Sequence, residues 1–287
     1  MGNKDIQIKK LPPLKKPLLI AGFDGWGNAL KISSGMAAYL VRKLKAEQFA
    51  TINPDAFFRY DEARPMVEIE EGILKSMVPP GGTFYAARAA ADRDDVVILK
   101  ADEPSLKWYR FIDGMFSLCH KLGVETIITL GSMYDNVLHT DRVISGIAST
   151  PELVARLKEQ HINSISYQGP SAIHSIIQLE GPKNGFECIS LWSHCPFYLQ
   201  GTTHFGILSH LGALLSSMGN FDLDTADLEE SWKSLNEQIQ DLVENNVEIQ
   251  GIISELRKSK ARGSAASMKG SLRDEKVINI EDFLEPK

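Results

Sequence analysis

Cysteine is scarce in this chain of 287 residues, occurring only at Cys119, Cys188 and Cys195. The count is odd and no C-x-x-C is present, which excludes a disulfide framework and favours a reducing cytoplasm. Long apolar runs are also missing. None approaches the 18 residues needed to span a bilayer, so no membrane is implied. The Lys-rich stretch Met1–Lys16 leads only into the short apolar Pro17–Phe23 before Asp24, too little for a signal peptide. Ile6 stands where a myristoylation signal wants Ser or Thr. Positive charge is in short supply: 31 Lys and Arg against 37 Asp and Glu give −6, with a pI near 5.7. A general nucleic-acid binder needs a basic field to displace counterions, so nucleic acid is not an implied partner. Phosphate and metal motifs are lacking as well. There is no G-x-G-x-x-G, no G-x-x-x-x-G-K-[ST] and no H-E-x-x-H, and His204 and His210 lie six residues apart, off a common helical face. No metal and no cofactor is implied. Leu130-Gly131-Ser132-Met133-Tyr134 does not match the G-x-S-x-G elbow.

What is present is the composition of an ordinary globular protein, 43% hydrophobic and 24% charged. Apolar runs rich in β-branched residues alternate with segments of helical period, the pattern of an α/β protein with a mostly parallel sheet covered by helices. Pro17–Phe23, Asp95–Ala101, Val124–Leu130 and Phe186–Trp192 read as strands. Helices are predicted after Asn28, from Pro104 to about Leu122, from Pro151 towards His161, over Ser171–Leu179 and over Thr202–Met218. Phe49–Pro80 is rich in turn residues and predicts short strands or an excursion from the main sheet. From Leu228 a 4,3 alternation through Trp232, Leu235, Ile239, Leu242, Asn246 and Ile249 to Leu256 predicts one long amphipathic helix, with Asn246 at an a-type position. Its apolar stripe either packs on its own domain or forms a subunit interface. Ser259–Arg273 is basic and poor in large apolar side chains, the composition of a disordered linker, and Val277–Leu284 then alternates apolar and acidic residues. The expected organisation is an N-terminal arm over 1–16, an α/β core over 17–222, a C-terminal amphipathic helix over 223–258 and a disordered linker and tail over 259–287.

In a sheet of this kind ligands bind beyond the C-terminal ends of the parallel strands. The polar residues predicted there are Asp24, Asp102, Glu103, Ser132, His139, His194 and Cys195. Asp24, Glu103, Ser132 and His139 are the catalytic candidates, since a carboxylate, a hydroxyl and an imidazole in one crevice suffice for acid–base or nucleophilic work. The same residues equally suit plain turn chemistry. Glu103 is expected to cap the helix begun at Pro104. Gly25, Gly27 and Asn28 are the ligand-binding candidates, their backbone amides preceding a helix; against this, Asp24 repels a phosphate, and Asp24 or Asn28 can serve as a cap. A crevice is expected, without a complete nucleophile–base–orienter chain.

The motifs Gly25-Trp26-Gly27-Asn28-Ala29, Ile52-Asn53-Pro54-Asp55-Ala56-Phe57-Phe58-Arg59-Tyr60, Arg64-Pro65, Glu103-Pro104-Ser105-Leu106-Lys107-Trp108, Leu130-Gly131, His139-Thr140-Asp141-Arg142 and Ser190-Leu191-Trp192 occur in that order. Together they resemble the proteasome assembly chaperone family in its archaeal and bacterial single-domain form, over about Pro17 to Leu256. The resemblance implies a three-layer α/β/α fold similar to nucleoside phosphorylases, self-association and a role in protein assembly. Members have also been labelled carboxylate-amine ligases. The implied partners are further copies of the chain and a protein complex, proteasome-related by resemblance. Two departures stand out: the chain ends Leu284-Glu285-Pro286-Lys287 without a hydrophobic-Tyr-X tail, and Gly27-Asn28-Ala29 replaces the usual aspartate-alanine-glycine run. Two function classes follow, a non-enzymatic homo-oligomeric scaffold or assembly chaperone, and an enzyme acting on a nucleotide or small carboxylate at the strand ends.

Overall fold

Strand β2 has to be apolar along its whole length, because six of its seven residues, Leu18–Phe23, are buried and consecutive side chains enter opposite cores. The computed structural model, which describes residues 5–90 and 92–261, places this strand inside a nine-stranded sheet. The strands are β1 (Ile6–Ile8), β2 (Leu18–Asp24), β3 (Glu47–Ile52), β4 (Met66–Glu70), β5 (Ile73–Val78), β6 (Gly82–Ala87), β7 (Val96–Asp102), β8 (Thr126–Asp135), β9 (Ile144–Ala148), β10 (Asn163–Ser164) and β11 (Glu187–Pro196). The helices are α1 (Ile32–Lys43), α2 (Pro54–Phe57), α3 (Trp108–Leu122), α4 (Pro151–Glu159), α5 (Ile173–Glu180), α6 (Phe205–Gly219), α7 (Ala226–Asn245) and α8 (Val247–Ala261). In space the main sheet runs β1-β3-β6-β7-β2-β8-β11-β9-β10, and β4 and β5 form a separate hairpin.

The sheet is mixed. Its middle, β7-β2-β8-β11, is parallel, as the buried runs require. The flanks β1-β3-β6-β7 and β11-β9 are antiparallel. Residues 6–8, within the expected N-terminal arm, pair with β3, and the Asp5 carboxylate next to them takes a two-pronged hydrogen bond from Arg110 at 2.7 and 2.8 Å. Helices cover both faces. Ile20, Ile98, Ile128 and Leu191 meet the side chains of α1, α6, α7 and α8, while Leu19, Leu99, Ile127 and Cys188 meet those of α3 and α5. Among the described residues no helix is long and apolar enough to cross a membrane. All three cysteines are buried thiols.

The C-terminal helix departs from expectation in its shape. It breaks at Asn246, which adopts an extended conformation (φ −125°, ψ 109°) and accepts a hydrogen bond from the Ile249 amide through Oδ1 at 3.2 Å. The amide side chain thus caps α8, a use that asparagine serves well. Helix α8 continues through Ser259 to Ala261. The rest of the expected linker, with Val277–Leu284, lies outside the described residues.

The apolar stripe is engaged within the chain. Trp232, Leu235, Ile239 and Ile249 are buried in the core that α1 and α6 share, with Leu242 packed at its margin. The Trp232 ring stacks on His204 at 4.5 Å and 12°. Arg142 holds Glu229 with bonds of 2.7 and 3.0 Å, and Tyr39 donates to Asp227 at 2.6 Å. Of the two roles open to the stripe, packing on its own domain is the one this geometry displays. Replacing Ile239, which is fully buried, by Ala is expected to lower stability by about 2–5 kcal/mol. Urea denaturation should give the same loss at low and high protein concentration; a loss that grows on dilution would place the stripe between subunits.

Candidate functional site

The turn after β2 is assembled from far-apart pieces of chain. Asp24 and Asp102 are register partners at the ends of β2 and β7, and the Glu103 amide donates to the Asp24 carbonyl at 2.7 Å. The Glu103 carboxylate accepts from the Trp26 amide at 3.2 Å with one oxygen and from the Ile173 amide at 2.8 Å with the other. Ile173 is the first residue of α5. Glu103 therefore caps a helix, but α5 rather than the helix after Pro104. Helix α3 starts only at Trp108, behind Lys107 in a left-handed conformation, and the Trp108 indole donates to the Pro104 carbonyl.

The ligand-binding candidates serve close packing. A Cβ on Gly25 would lie 2.7 Å from the Glu103 carboxylate, and one on Gly27 would lie 3.0 Å from the Trp192 ring. Asn28 donates to Asp24 at 2.9 Å and to Ser34 at 2.8 Å, and receives the Ser34 amide at 3.2 Å. It braces the entry to α1, where Leu30 and Lys31 take left-handed conformations. These two residues carry backbone strain that the surrounding bonds must hold. The Ser132 hydroxyl donates to the Ala29 carbonyl at 2.8 Å and its amide to the Gly27 carbonyl at 2.8 Å. Its hydroxyl closes this turn.

His139 belongs to a different cluster. Its amide donates to Tyr198 Oη at 2.7 Å, and that hydroxyl is 2.9 Å from His139 Nδ1. Its carbonyl accepts from His204 Nε2 at 3.0 Å, while His204 Nδ1 accepts from the Ile207 amide at 3.2 Å and caps α6. His204 thus donates through Nε2 and accepts through Nδ1, and both rings are held neutral. Burial pushes each down to about 4 from an ordinary 6.5, with Arg257 adding to the effect at His139. Thus Asp24, Glu103 and Ser132 meet around one turn, and His139 is bonded elsewhere.

Three carboxylates remain at the strand ends: Asp24, Asp102 and Glu103. Burial raises the Asp102 carboxyl and the Asp24 charge adds to it, against an opposing hydrogen bond from the Gly81 amide at 2.7 Å. Such a rim repels anions. Among the described residues no group of three or more His, Cys, Asp or Glu is placed to hold a metal ion. A cavity of about 180 Å³ lies at the opposite end of the strands, lined by Leu18, Thr126, Arg156 and Glu187 among others.

One relay was not legible in the sequence. Asp135 Oδ2 lies 2.7 Å from His194 Nδ1, and His194 Nε2 lies 2.9 Å from Ser145 Oγ. The hydrogen bond to His194 holds the Asp135 carboxyl below its ordinary range. The order is acid, imidazole, hydroxyl, as in serine hydrolases, yet Ser145 is 1% exposed on β9, and a nucleophile needs access. The relay binds β9 to the ends of β8 and β11. No local motif announces it, since the three residues come from three strands. His174 was also missed: it is buried between Phe23 and Trp192, donates from Nε2 to the Leu130 carbonyl at 2.8 Å, and burial lowers its pKa.

A mixed sheet layered by helices, with a braced acidic turn at its strand ends, defines an α/β protein of a recognisable class. The PAC2 family model matches residues 19–243, and the chain belongs to the PAC2 family. This is the relationship that the motif resemblance pointed to. No curated protein matches. A PAC2 family protein from Streptomyces avermitilis is 25% identical, with a TM-score of 0.73 over 83% of this chain and 99% of that one. A proteasome-assembly chaperone homologue from Mycobacterium tuberculosis is 22% identical, with a TM-score of 0.74 over 82% and 99%. An archaeal proteasome activator from Pyrococcus furiosus is 16% identical, with a TM-score of 0.66 over 84% and 99%. The last two likenesses show the fold.

Two outcomes test this arrangement. Glu103→Gln keeps one acceptor oxygen and sets an NH2 against a backbone amide, so a stability loss of about 1–3 kcal/mol is expected in chemical denaturation. For His139 and His204, folded-state values below the unfolded one mean that stability is full above about pH 6.5 and is lost as pH falls towards 4. The melting temperature should drop through that window, and His204→Gln should flatten the drop.

Proposed function

We propose that the chain is a non-enzymatic, homo-oligomeric scaffold or assembly chaperone for a proteasome-related complex, working in the cytoplasm on the nucleoside-phosphorylase-like variant of the three-layer fold. Family membership supports the assembly role. The observation that carries the reading is the contrast at the strand ends. The polar atoms that would do chemistry are engaged in internal hydrogen bonds, while Trp26 is 63% exposed on a turn fixed by Glu103. Tyr109 and Leu106, on the segment after β7, are exposed too. A rigidly held, exposed tryptophan suits the anchor of a protein interface better than the floor of an active site. The alternative, an enzyme for a nucleotide or small carboxylate, has to overcome the repulsion of Asp24, Asp102 and Glu103.

The test is a pull-down of the tagged chain from native lysate read by mass spectrometry. Proteasome subunits are expected with the parent chain and at least about tenfold fewer with Trp26→Ala. Recovery of no proteasome subunit with the parent chain overturns the partner assignment.

A further inference from the structure

The hairpin of β4 and β5 is hydrogen-bonded only to itself, as a two-stranded sheet separate from the main one. All eleven of its strand residues are exposed. Seven are large and apolar: Met66, Val67, Ile69, Ile73, Leu74, Met77 and Val78, each between 52% and 74% exposed. A lone hairpin is marginal in water, and scattered apolar residues are ordinary on a surface, but seven on one projecting hairpin are not. The register distributes them over both faces. Met66 pairs with Val78 and Glu70 with Ile73 on one side, with Glu68 opposite Ser76 between them. Val67 pairs with Met77 and, past a bulge at Lys75, Ile69 with Leu74 on the other side.

We propose that this hairpin is an assembly arm enclosed by a second copy of the chain. Three properties select that occupant. Each face carries exposed large apolar side chains, four on that of Val67 and three on that of Met66, so a single flat surface, lipid or protein, would leave one set wet; an arm clasped between copies hides both. The seven side chains expose on the order of 700 Å² per copy, or about 1,400 Å² across two exchanged arms, within the range of specific stable interfaces. Charge does not oppose self-association: from Arg64 to Val78 two cations stand against three carboxylates, and Lys75 already lies 3.9 Å from Glu70. Glu68 and Glu70, both on the face of Met66, also disfavour insertion of that face into an anionic membrane. The unpaired strand edges offer further backbone bonding to a neighbouring strand.

This inference rests on the self-association in the reading above and not on its proteasome partner. Multi-angle light scattering of the full chain should give a multiple of 31.8 kDa. The double variant Ile69→Lys, Leu74→Lys should fall to the single-chain mass with an unchanged far-ultraviolet circular dichroism spectrum, because both side chains are solvent-facing in the isolated chain. A parent chain that stays at the single-chain mass over a wide concentration range overturns the arm and self-association together. Sedimentation of that monomer with phosphatidylcholine–phosphatidylserine vesicles would then assign the hairpin to lipid. An oligomeric parent with an equally oligomeric variant overturns the arm alone. Should the lysine pair fail to fold, Ser76→Cys treated with a short bis-maleimide gives the same decision: covalent dimers support the arm and monomers overturn it.

Discussion

The double-sided burial of β2 is the constraint on which the rest depends. A strand with Leu18 and Ile20 on one side and Leu19, Ala21 and Phe23 on the other is stable only if helices cover both faces, and each face then builds its own core. Parallel neighbours β7 and β8 follow, since their connections return through helices that supply the cover. Away from the centre this demand weakens. The antiparallel flanks need no crossover helix, and β3 and β6 lie side by side while the chain between them is free to project the β4–β5 hairpin.

The same constraint explains the acidic turn. Parallel strands all end on one side, so Asp24, Asp102, Glu103 and Ser132 reach the same edge whatever their purpose. Here the backbone makes first claim on them. Glu103 satisfies two amides that the turn and α5 would otherwise leave bare, and Ser132 and Asn28 hold a stretch containing two left-handed residues. A site committed in this way gives up side-chain freedom and gains a fixed outer surface, on which Trp26 stands exposed. That is the arrangement expected of a recognition surface whose shape must persist without ligand.

The helices α7 and α8 close the second core, and their docking is polar as well as apolar. His204 caps α6, stacks on Trp232 and bonds the His139 carbonyl, so one imidazole ties three segments together. Neutral rings are required for this, and the depressed pKa values of His139 and His204 express that requirement. The Arg142–Glu229 pair joins the same region from the loop before β9.

Much of the architecture was readable because burial writes itself into composition. The runs at Pro17–Phe23, Asp95–Ala101 and Phe186–Trp192 are dominated by apolar residues, the first at every position, and strands covered on both faces need that. The stripe from Leu228 likewise declared an amphipathic helix, and the order of short motifs declared the family. Strand β9 stayed hidden because Ile144-Ser145-Gly146-Ile147-Ala148 is short and lies next to the two-residue edge strand β10, where no long apolar run is demanded. Asn246 fits both a register amide and a cap, and only the backbone break decided between them. Sequence could likewise gather Asp24, Glu103, Ser132 and His139 as candidates, but not say that Glu103 would reach Ile173 seventy residues away or that His139 would turn to Tyr198. Periodicity and composition record which residues must leave water, a local property. Partnership between polar groups depends on distances set by the packed chain as a whole, and that was decided only in the tertiary structure.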